Sequence, residues 1–179
     1  IIRSGRDSAS SHQHDDLLSD PGPILQPIDN AMKEPGTSKR VPESGGVEVG
    51  VRFIVFSGIT RKVNTQQHRD FGINGRSHDM NRIDFEVPLG TYERWILAGG
   101  GAGVEHPFHV HGVQFRVLNV GGLPLGPLES GWKDTVVISG QTEIVVRFDR
   151  PAGRDAPYMY HCHILEHEDA GMMGQFMVV

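Results

Sequence analysis

From residue 47 to the end of the chain, hydrophobic and polar residues alternate in short segments that glycine or proline separates. Val47–Phe56 begins with this alternation, and Phe71–Asn74 leads into the turn signal Asn74-Gly75. Further short segments follow at similar spacing: Ile83–Val87, Tyr92–Leu97, Gln114–Val120, Thr135–Ile138, Thr142–Phe148, Tyr158–His161 and Gly174–Val179. Alternation with a period of two is typical of β-strands, whose successive side chains point to opposite faces. The pattern therefore predicts an all-β sandwich or barrel, with one short helix near the C-terminus at Ile164–Glu168.

The first 46 residues have a different composition from the rest. All 13 aromatic residues (two Trp, three Tyr, eight Phe) lie at Phe53 or later, whereas residues 1–46 hold five of the 11 prolines. A segment this poor in large apolar side chains cannot bury a core of its own. We expect residues 1–46 to form a linker or interdomain extension, and 47–179 to form one domain. Because the chain begins at Ile1 without Met, we also expect it to be part of a longer polypeptide.

Charge and hydropathy exclude two classes of partner. The 17 basic and 22 acidic residues give a net charge of −5, and the basic residues are scattered, which argues against nucleic-acid binding. No apolar run approaches the roughly 20 residues that a membrane-spanning helix needs.

Histidine is concentrated in two short windows, which hold six of the 10 histidines: His106-Pro107-Phe108-His109-Val110-His111 and His161-Cys162-His163-Ile164-Leu165-Glu166-His167. On an extended strand, His161 and His163 share one face and Cys162 takes the other. His109 and His111 share a face in the same way. Two such pairs on facing strands would bring four imidazoles together, which suits a cluster of metal ions.

The thiol of Cys162, on the reverse face, would bind a different metal ion. His106, His167 and Met172 have the spacing to join it. A thiolate, two imidazoles and a weak axial thioether form the trigonal site of blue-copper proteins. Zinc also binds His and Cys, but a thioether is a poor zinc ligand and Cu(II) has the higher intrinsic affinity. A papain-like Cys/His nucleophile is a further alternative, but it would not need six histidines.

The two windows resemble the C-terminal copper motifs of the multicopper oxidases. The matching segments are His106-Pro107-Phe108-His109-Val110-His111-Gly112 and His161-Cys162-His163-Ile164-Leu165-Glu166-His167-Glu168-Asp169-Ala170-Gly171-Met172. Three further segments resemble the bacterial laccase and copper-efflux branch of that family: Ile73-Asn74-Gly75, Tyr92-Glu93-Arg94-Trp95 and Gly131-Trp132-Lys133-Asp134-Thr135-Val136. The resemblance covers residues 47–179 and implies the family's last cupredoxin domain, a Greek-key β-sandwich.

The resemblance also implies roles for individual residues. It makes His109 a ligand of type 2 copper and gives Glu168 a part in proton delivery. Cys162 with His161 and His163 would form the electron path between the sites. The ligands of type 1 copper would be His106, Cys162, His167 and Met172, and those of the type 3 pair would include His111, His161 and His163. The implied reaction is one-electron oxidation of a small reducing substrate (a phenolic or aromatic compound or a metal ion), coupled to reduction of O2 to water. A periplasmic or secreted location is implied as well.

A complete family member holds four coppers, and its trinuclear cluster takes eight histidines. This chain supplies four of the eight, so the resemblance implies that the others come from an N-terminal cupredoxin domain of the same protein or from another chain. We expect the chain to be inactive as an oxidase without that partner. The alternative is a stand-alone blue-copper electron carrier or copper-binding cupredoxin. A pure carrier would have no use for the second group of histidines, so the sequence favours the oxidase.

Overall fold

The computed structural model of the protein describes residues 38–42, 48–63, 66–100 and 104–179. In these ranges the chain forms the following elements: β1 (Ser38–Pro42), β2 (Glu48–Val63), β3 (Gln66–Ile73), β4 (Phe85–Val87), β5 (Tyr92–Gly100), β6 (His106–Val110), β7 (Phe115–Val120), β8 (Trp132–Lys133), β9 (Thr135–Ile138), β10 (Gln141–Arg147), β11 (Tyr158–Cys162), α1 (Leu165–Asp169) and β12 (Met173–Val178). The all-β fold and the short helix near the C-terminus are confirmed. The linker role expected for residues 1–46 lies outside the described residues, except at β1, which pairs with β2.

The strands form two sheets. The larger has the order β1-β2-β5-β10-β7-β8, with β3 pairing with the far half of β2. The smaller has the order β4-β12-β11-β6-β9. Most neighbours are antiparallel, but β2 runs parallel to β5 and β4 runs parallel to β12. These two parallel pairs depend on the order in which the chain connects the two sheets. The alternation of residues along a single strand does not predict that order.

Aromatic side chains fill the space between the sheets. Trp95 on β5 is completely buried, and its ring lies 5.6–6.3 Å, between centroids, from five other rings: Phe85, Phe108, Phe148, Tyr160 and Phe176. Aromatic pairs at such distances add to the free energy of burial when they meet edge-to-face or offset. This cluster holds β5 of the larger sheet against β4, β6, β11 and β12 of the smaller one.

A buried ion pair lies beside this aromatic core. The guanidinium of Arg52 is 3.3 Å from the carboxylate of Glu93, which also accepts a hydrogen bond from the Trp95 indole at 3.4 Å. A Cβ at Gly50 would collide with the Glu93 carboxylate, so this position of β2 requires glycine. The paired charges satisfy each other, as buried charges must.

The pairing of β6 with β11 positions the residues of both histidine windows. His161 is the register partner of His109, and Cys162 is the partner of Phe108. Along β6, His106, Phe108 and Val110 are buried, whereas Pro107 and His109 are more exposed. The smaller sheet therefore carries one set of ligand-type side chains on its inner face and another on its outer face. None of the described residues belongs to a helix long and apolar enough to cross a membrane.

Candidate metal centre

Three donor atoms converge on the inner face of the smaller sheet. The Cys162 sulfur lies 3.5 Å from Nδ1 of His106 and 3.6 Å from Nδ1 of His167. The two Nδ1 atoms are 3.3 Å apart. Cys162 is completely buried, and His106 is 4% exposed. Sequence spacing placed these three residues in one site, and the fold brings them together from β6, the end of β11 and α1. We call them the inner cluster.

Met172 lies next to the inner cluster through its backbone. The Cys162 amide donates to the Met172 carbonyl at 3.0 Å, and the Met172 amide donates to the His167 carbonyl at 2.8 Å. Its side chain is completely buried in the main core. The segment from Cys162 to Met172 thus closes on itself, so that its two ends and His167 are held together.

Four imidazoles lie on the outer face of the same sheet, and we call His109, His111, His161 and His163 the outer cluster. Nε2 of His111 is 3.1 Å from Nε2 of His161. The rings of His111 and His161 lie 5.1 and 5.3 Å from that of His109, and the ring of His163 lies 5.6 Å from those of His109 and His161. His111 and His163 are exposed, whereas His161 is buried. An open depression beside His109 and His111 leaves this face accessible.

Hydrogen bonds orient two rings of the outer cluster. Nδ1 of His109 lies 2.9 Å from the carbonyl oxygen of Asp134 and 3.0 Å from the hydroxyl of Thr135. Because a carbonyl only accepts, Nδ1 of His109 carries the proton and Nε2 keeps its lone pair. Nδ1 of His161 faces the Cys162 carbonyl at 3.0 Å, so its Nε2 likewise presents a lone pair, in this case toward His111. Such second contacts commonly orient histidines that bind metals.

Burial sets the protonation of several candidate ligands. It lowers the pKa of His106, and the nearby His167 lowers it further. Burial also lowers the pKa of His111, and His161 and His109 add to the effect. Both rings are therefore neutral at neutral pH, which is the form that binds metals. Burial raises the pKa of the Cys162 thiol, so in the free protein this residue favours its protonated form.

Glu168 projects from α1 to the outer cluster. One oxygen of its carboxylate is 3.2 Å from Nδ1 of His161, and its side chain is 27% exposed. The same helix carries His167 of the inner cluster. The chain thus places a partly exposed carboxylate beside the outer cluster.

The donor sets of both clusters suit copper. A buried thiolate with two imidazoles is a soft set typical of Cu(I) and of blue-copper sites, and an all-imidazole set suits copper and zinc. Both sets lack carboxylates, the ligands that hard ions such as Mg²⁺ and Ca²⁺ prefer. The backbone joins the clusters directly, because His161 and His163 flank Cys162 and the amide of His163 donates to the Pro107 carbonyl at 2.7 Å.

Two aromatic side chains that the sequence analysis assigned no role pack on the inner cluster. The ring of Phe71 stacks on His167, with centroids 4.1 Å apart, and the ring of Phe56 stacks on His106 at 5.8 Å. Asp134 and Thr135, which orient His109, also had no individual role, although their segment was among the family-like motifs. No local pattern marks such residues, because strands distant in the sequence supply them.

Comparison with known proteins gives a consistent result. A family model described as "Multicopper oxidase" matches residues 55–179. The chain is 42% identical over 108 residues to "Cell division protein FtsP" of Photorhabdus laumondii, covering 60% of this chain and 22% of that protein. It is 43% identical over 110 residues to "Multicopper oxidase mco" of Staphylococcus aureus, covering 59% of this chain and 24% of that protein.

Among solved structures, the chain is similar to that of CueO of Ochrobactrum sp., which is described as a bacterial laccase-like multicopper oxidase with oxidase activity towards lignin model compounds and lignosulfonate. The TM-score is 0.59 at 49% identity, covering 62% of this chain and 24% of that one. The match to this chain therefore spans about a quarter of the length of each of these three relatives.

Proposed function

Because the chain belongs to the multicopper oxidase family, we propose that it is the C-terminal cupredoxin domain of a laccase-like oxidase. In the complete enzyme, a phenolic or aromatic compound or a metal ion would lose electrons one at a time. Four such electrons and four protons would reduce one O2 to two molecules of water. The observation that carries this proposal is that two histidine-rich clusters lie on opposite faces of one sheet and meet at Cys162.

The inner cluster would hold the type 1 copper. His106, Cys162 and His167 would supply three donor atoms, and Met172 would supply a thioether sulfur. Bound copper would supply a centre that alternates between Cu(II) and Cu(I) and so accepts a single electron from the substrate. The protein contributes the burial of Cys162 and His106, which excludes water from the thiolate. His167 is the more exposed of the two histidines, so a substrate would reach the copper from its side.

The outer cluster would supply half of the ligands for the type 2 and type 3 coppers. His109 would bind the type 2 ion, and His111, His161 and His163 would bind the type 3 pair. The remaining four histidines would come from the N-terminal cupredoxin domain of the same protein or from another chain. The exposure of His111 and His163 supports this arrangement, as does the limited share of its relatives' length that the chain spans.

The backbone around Cys162 would carry electrons from the inner to the outer cluster. The thiol is one residue from His161 and one from His163, and the Cys162 carbonyl lies 3.0 Å from Nδ1 of His161. The electron therefore has both a covalent route and a hydrogen-bonded route between the two faces.

Glu168 would supply protons. Its carboxylate lies 3.2 Å from Nδ1 of His161 and is partly exposed, so it can take a proton from solvent and hold it beside the outer cluster. Reduction of O2 consumes protons, and a positioned acid accelerates such a step by about 10²–10⁴-fold.

Two other functions are considered: a stand-alone electron carrier, from the sequence, and a role in cell division, from one of the relatives. A stand-alone electron carrier would need the inner cluster alone, so the outer cluster argues against it. The similarity to a protein named for cell division suggests a role in cell division instead. Such a role would not need a buried thiol within 3.6 Å of two imidazole nitrogens, so the geometry favours the oxidase.

We also propose that the protein acts in the periplasm or outside the cell, where a copper-dependent oxidase could contribute to copper resistance. The proposal rests on the family resemblance. Cell fractionation followed by immunodetection tests it, and recovery of the protein in the cytosolic fraction alone would refute it.

Copper loading tests the proposed function most simply. The copper-loaded chain should show an intense blue absorption band from the bond between the Cys162 thiolate and Cu(II). Cys162→Ser should abolish the band, whereas His78→Asn, a change outside both clusters, should retain it. A band that survives Cys162→Ser, or its absence from the wild-type chain, would contradict the assignment of the inner cluster.

A further inference from the structure

Helix α1 carries His167 but has little of its own to fix it in place. The helix has five residues, Leu165–Asp169, and none of them is buried. Its N-cap, Ile164, makes no side-chain capping hydrogen bond. Short helices obtain most of their stability from packing an apolar face against the protein. The hydrogen bonds of the segment fix the His167 backbone, so the side chains that contact the ring decide its orientation.

Phe71, at the end of β3, makes the closest ring contact with His167. The two rings lie 4.1 Å apart between centroids, and their planes are inclined by 26°. The ring of His106 lies 5.1 Å from the same imidazole and is tilted by 48°. Among the described residues, Phe71 therefore makes the ring contact from outside the inner cluster that restrains the plane of this imidazole.

Backbone hydrogen bonds from Phe71 and from the loop after β3 hold the segment that follows α1. The Phe71 amide donates to the Ala170 carbonyl at 3.3 Å, and the His78 amide donates to the Gly171 carbonyl at 3.0 Å. Gly171 has a φ of +97°, and a Cβ there would lie 3.3 Å from the Phe71 carbonyl oxygen. The end of β3 therefore contacts the chain between His167 and Met172 by both ring and backbone, across about 100 residues of sequence.

We propose that Phe71 is a positioning residue, which holds the His167 imidazole in its ligating orientation before copper binds. This inference rests on the proposed function, in which His167 binds the type 1 copper. A ligand held in place in advance loses little conformational freedom on binding, so the site gains affinity for the metal. Residues that orient metal ligands commonly contribute 10–100-fold to metal affinity.

The test compares copper affinity in four forms of the 179-residue chain, by competition for Cu(I) with bicinchoninate. Phe71→Leu removes the ring but keeps an apolar side chain, and it should weaken Cu(I) binding by about tenfold. Phe71→Tyr keeps an aromatic ring at this position, and its affinity for Cu(I) should be within about threefold of that of the wild type. Phe85→Leu is the matched control, because Phe85 is also partly buried and stacks at 5.0 Å on Phe176, away from both clusters. It should bind Cu(I) as the wild type does.

A second readout needs no metal. In the NMR spectrum of the copper-free chain, the ring of Phe71 should shield the His167 ring protons. Phe71→Leu should move those signals downfield, and Phe71→Tyr should not. Unchanged signals in Phe71→Leu would overturn the proposal. So would equal losses of Cu(I) affinity in Phe71→Leu and Phe85→Leu, or a loss of affinity in Phe71→Tyr as large as that in Phe71→Leu.

The two hypotheses fail in different ways. If the wild-type chain shows no thiolate-to-copper band, the proposed function fails, whatever the variants of Phe71 do. If the band is present and Phe71→Leu binds Cu(I) as tightly as the wild type, the inner cluster stands and the positioning role of Phe71 fails.

Discussion

His109 and His161 are direct register partners across β6 and β11, and their rings lie 5.3 Å apart on the outer face of the smaller sheet. The next residue along β11, Cys162, points to the inner face and lies 3.5 Å from His106. Side chains alternate along a strand, so a shift of β11 by one residue would turn His161 to the inner face of the sheet and Cys162 to the outer face. The register of β6 with β11 thus separates the two clusters while keeping them one residue apart.

This separation predicts that the two clusters can be disabled independently. His106→Ala should abolish the blue band, because it removes a ligand of the inner cluster. His109→Ala should leave the band intact and lower O2 consumption in the assembled oxidase by at least about tenfold, because it removes a ligand of the outer cluster. Absorption spectra and O2 uptake measure the two effects, and circular dichroism checks that each variant folds. Loss of the band in His109→Ala would contradict the assignment of His109 to a separate site.

Glu168→Gln should slow turnover without altering the type 1 site. The amide cannot hold a transferable proton beside His161, so O2 reduction in the assembled oxidase should fall by about 100-fold. The blue band should persist, since Glu168 lies at the outer cluster. Glu166→Gln is the matched control, because Glu166 is an exposed carboxylate on the same helix, and it should retain full turnover. Equal turnover in the two variants would exclude Glu168 as the proton donor.

Gly171→Ala should destabilise the chain more than Gly75→Ala does. Both glycines have positive φ, +97° and +74°, so alanine strains the backbone at either position by about 1 kcal/mol. A Cβ at Gly75 meets open space, whereas one at Gly171 would lie 3.1 Å from the Ser77 Cβ. We expect roughly 1–3 kcal/mol of additional loss at Gly171 from this crowding. Urea denaturation of both variants measures the difference, and equal losses would mean that Ser77 does not approach Gly171 closely.

The buried phenol of Tyr160 should make the fold sensitive to alkali. Burial raises the pKa of Tyr160 well above its ordinary value of 10, and the neighbouring Asp84 carboxylate, 3.1 Å from the hydroxyl, raises it further. The folded state therefore favours the protonated phenol. The contribution of Tyr160 to the free energy of unfolding is complete below about pH 10 and declines as the pH rises toward the folded-state pKa.

Tyr160→Phe isolates this effect. At neutral pH the variant should be about 1 kcal/mol less stable, because it loses the hydrogen bond to Asp84. The difference from the wild type should shrink between about pH 10 and pH 11, since phenylalanine does not ionise. Urea denaturation across this range measures it. A constant difference at all pH values would show that Tyr160 titrates normally.

Sequence patterns predicted the fold where local alternation is strong and failed where it is weak. The predicted strands at Tyr92–Leu97 and Thr135–Ile138 match β5 and β9 closely. The hairpin of β2 and β3 was underestimated: β2 was expected to end at Phe56 but continues to Val63, and β3 begins at Gln66 rather than Phe71. The sequence between Phe56 and Phe71 is mostly polar, so backbone pairing forms these parts of the strands without an alternating signal.

Strand alternation predicted that His161 and Cys162 face opposite sides of the sheet, and the contact of His161 with His111 and of Cys162 with His106 agrees with this. His106 and His167 were grouped with Cys162 by their spacing in the sequence and the chemistry of copper sites, because alternation along one strand does not reach them. The supporting residues were not found, since their contacts depend on how distant strands meet. The stacking of Phe71 on His167 and the hydrogen bond of His109 to the Asp134 carbonyl are visible only in the folded chain.

The proposed division into one complete and one half copper site is tested by measuring copper content, the optical spectrum and O2 uptake of the chain alone, with a phenolic donor present. We expect about one tightly bound copper per chain, an intense blue band and no O2 consumption, because in the proposed function the inner cluster is complete and the outer cluster holds only half of its ligands. About four coppers per chain with sustained O2 consumption would contradict this division, since the chain would then assemble the whole oxygen-reducing centre without another domain.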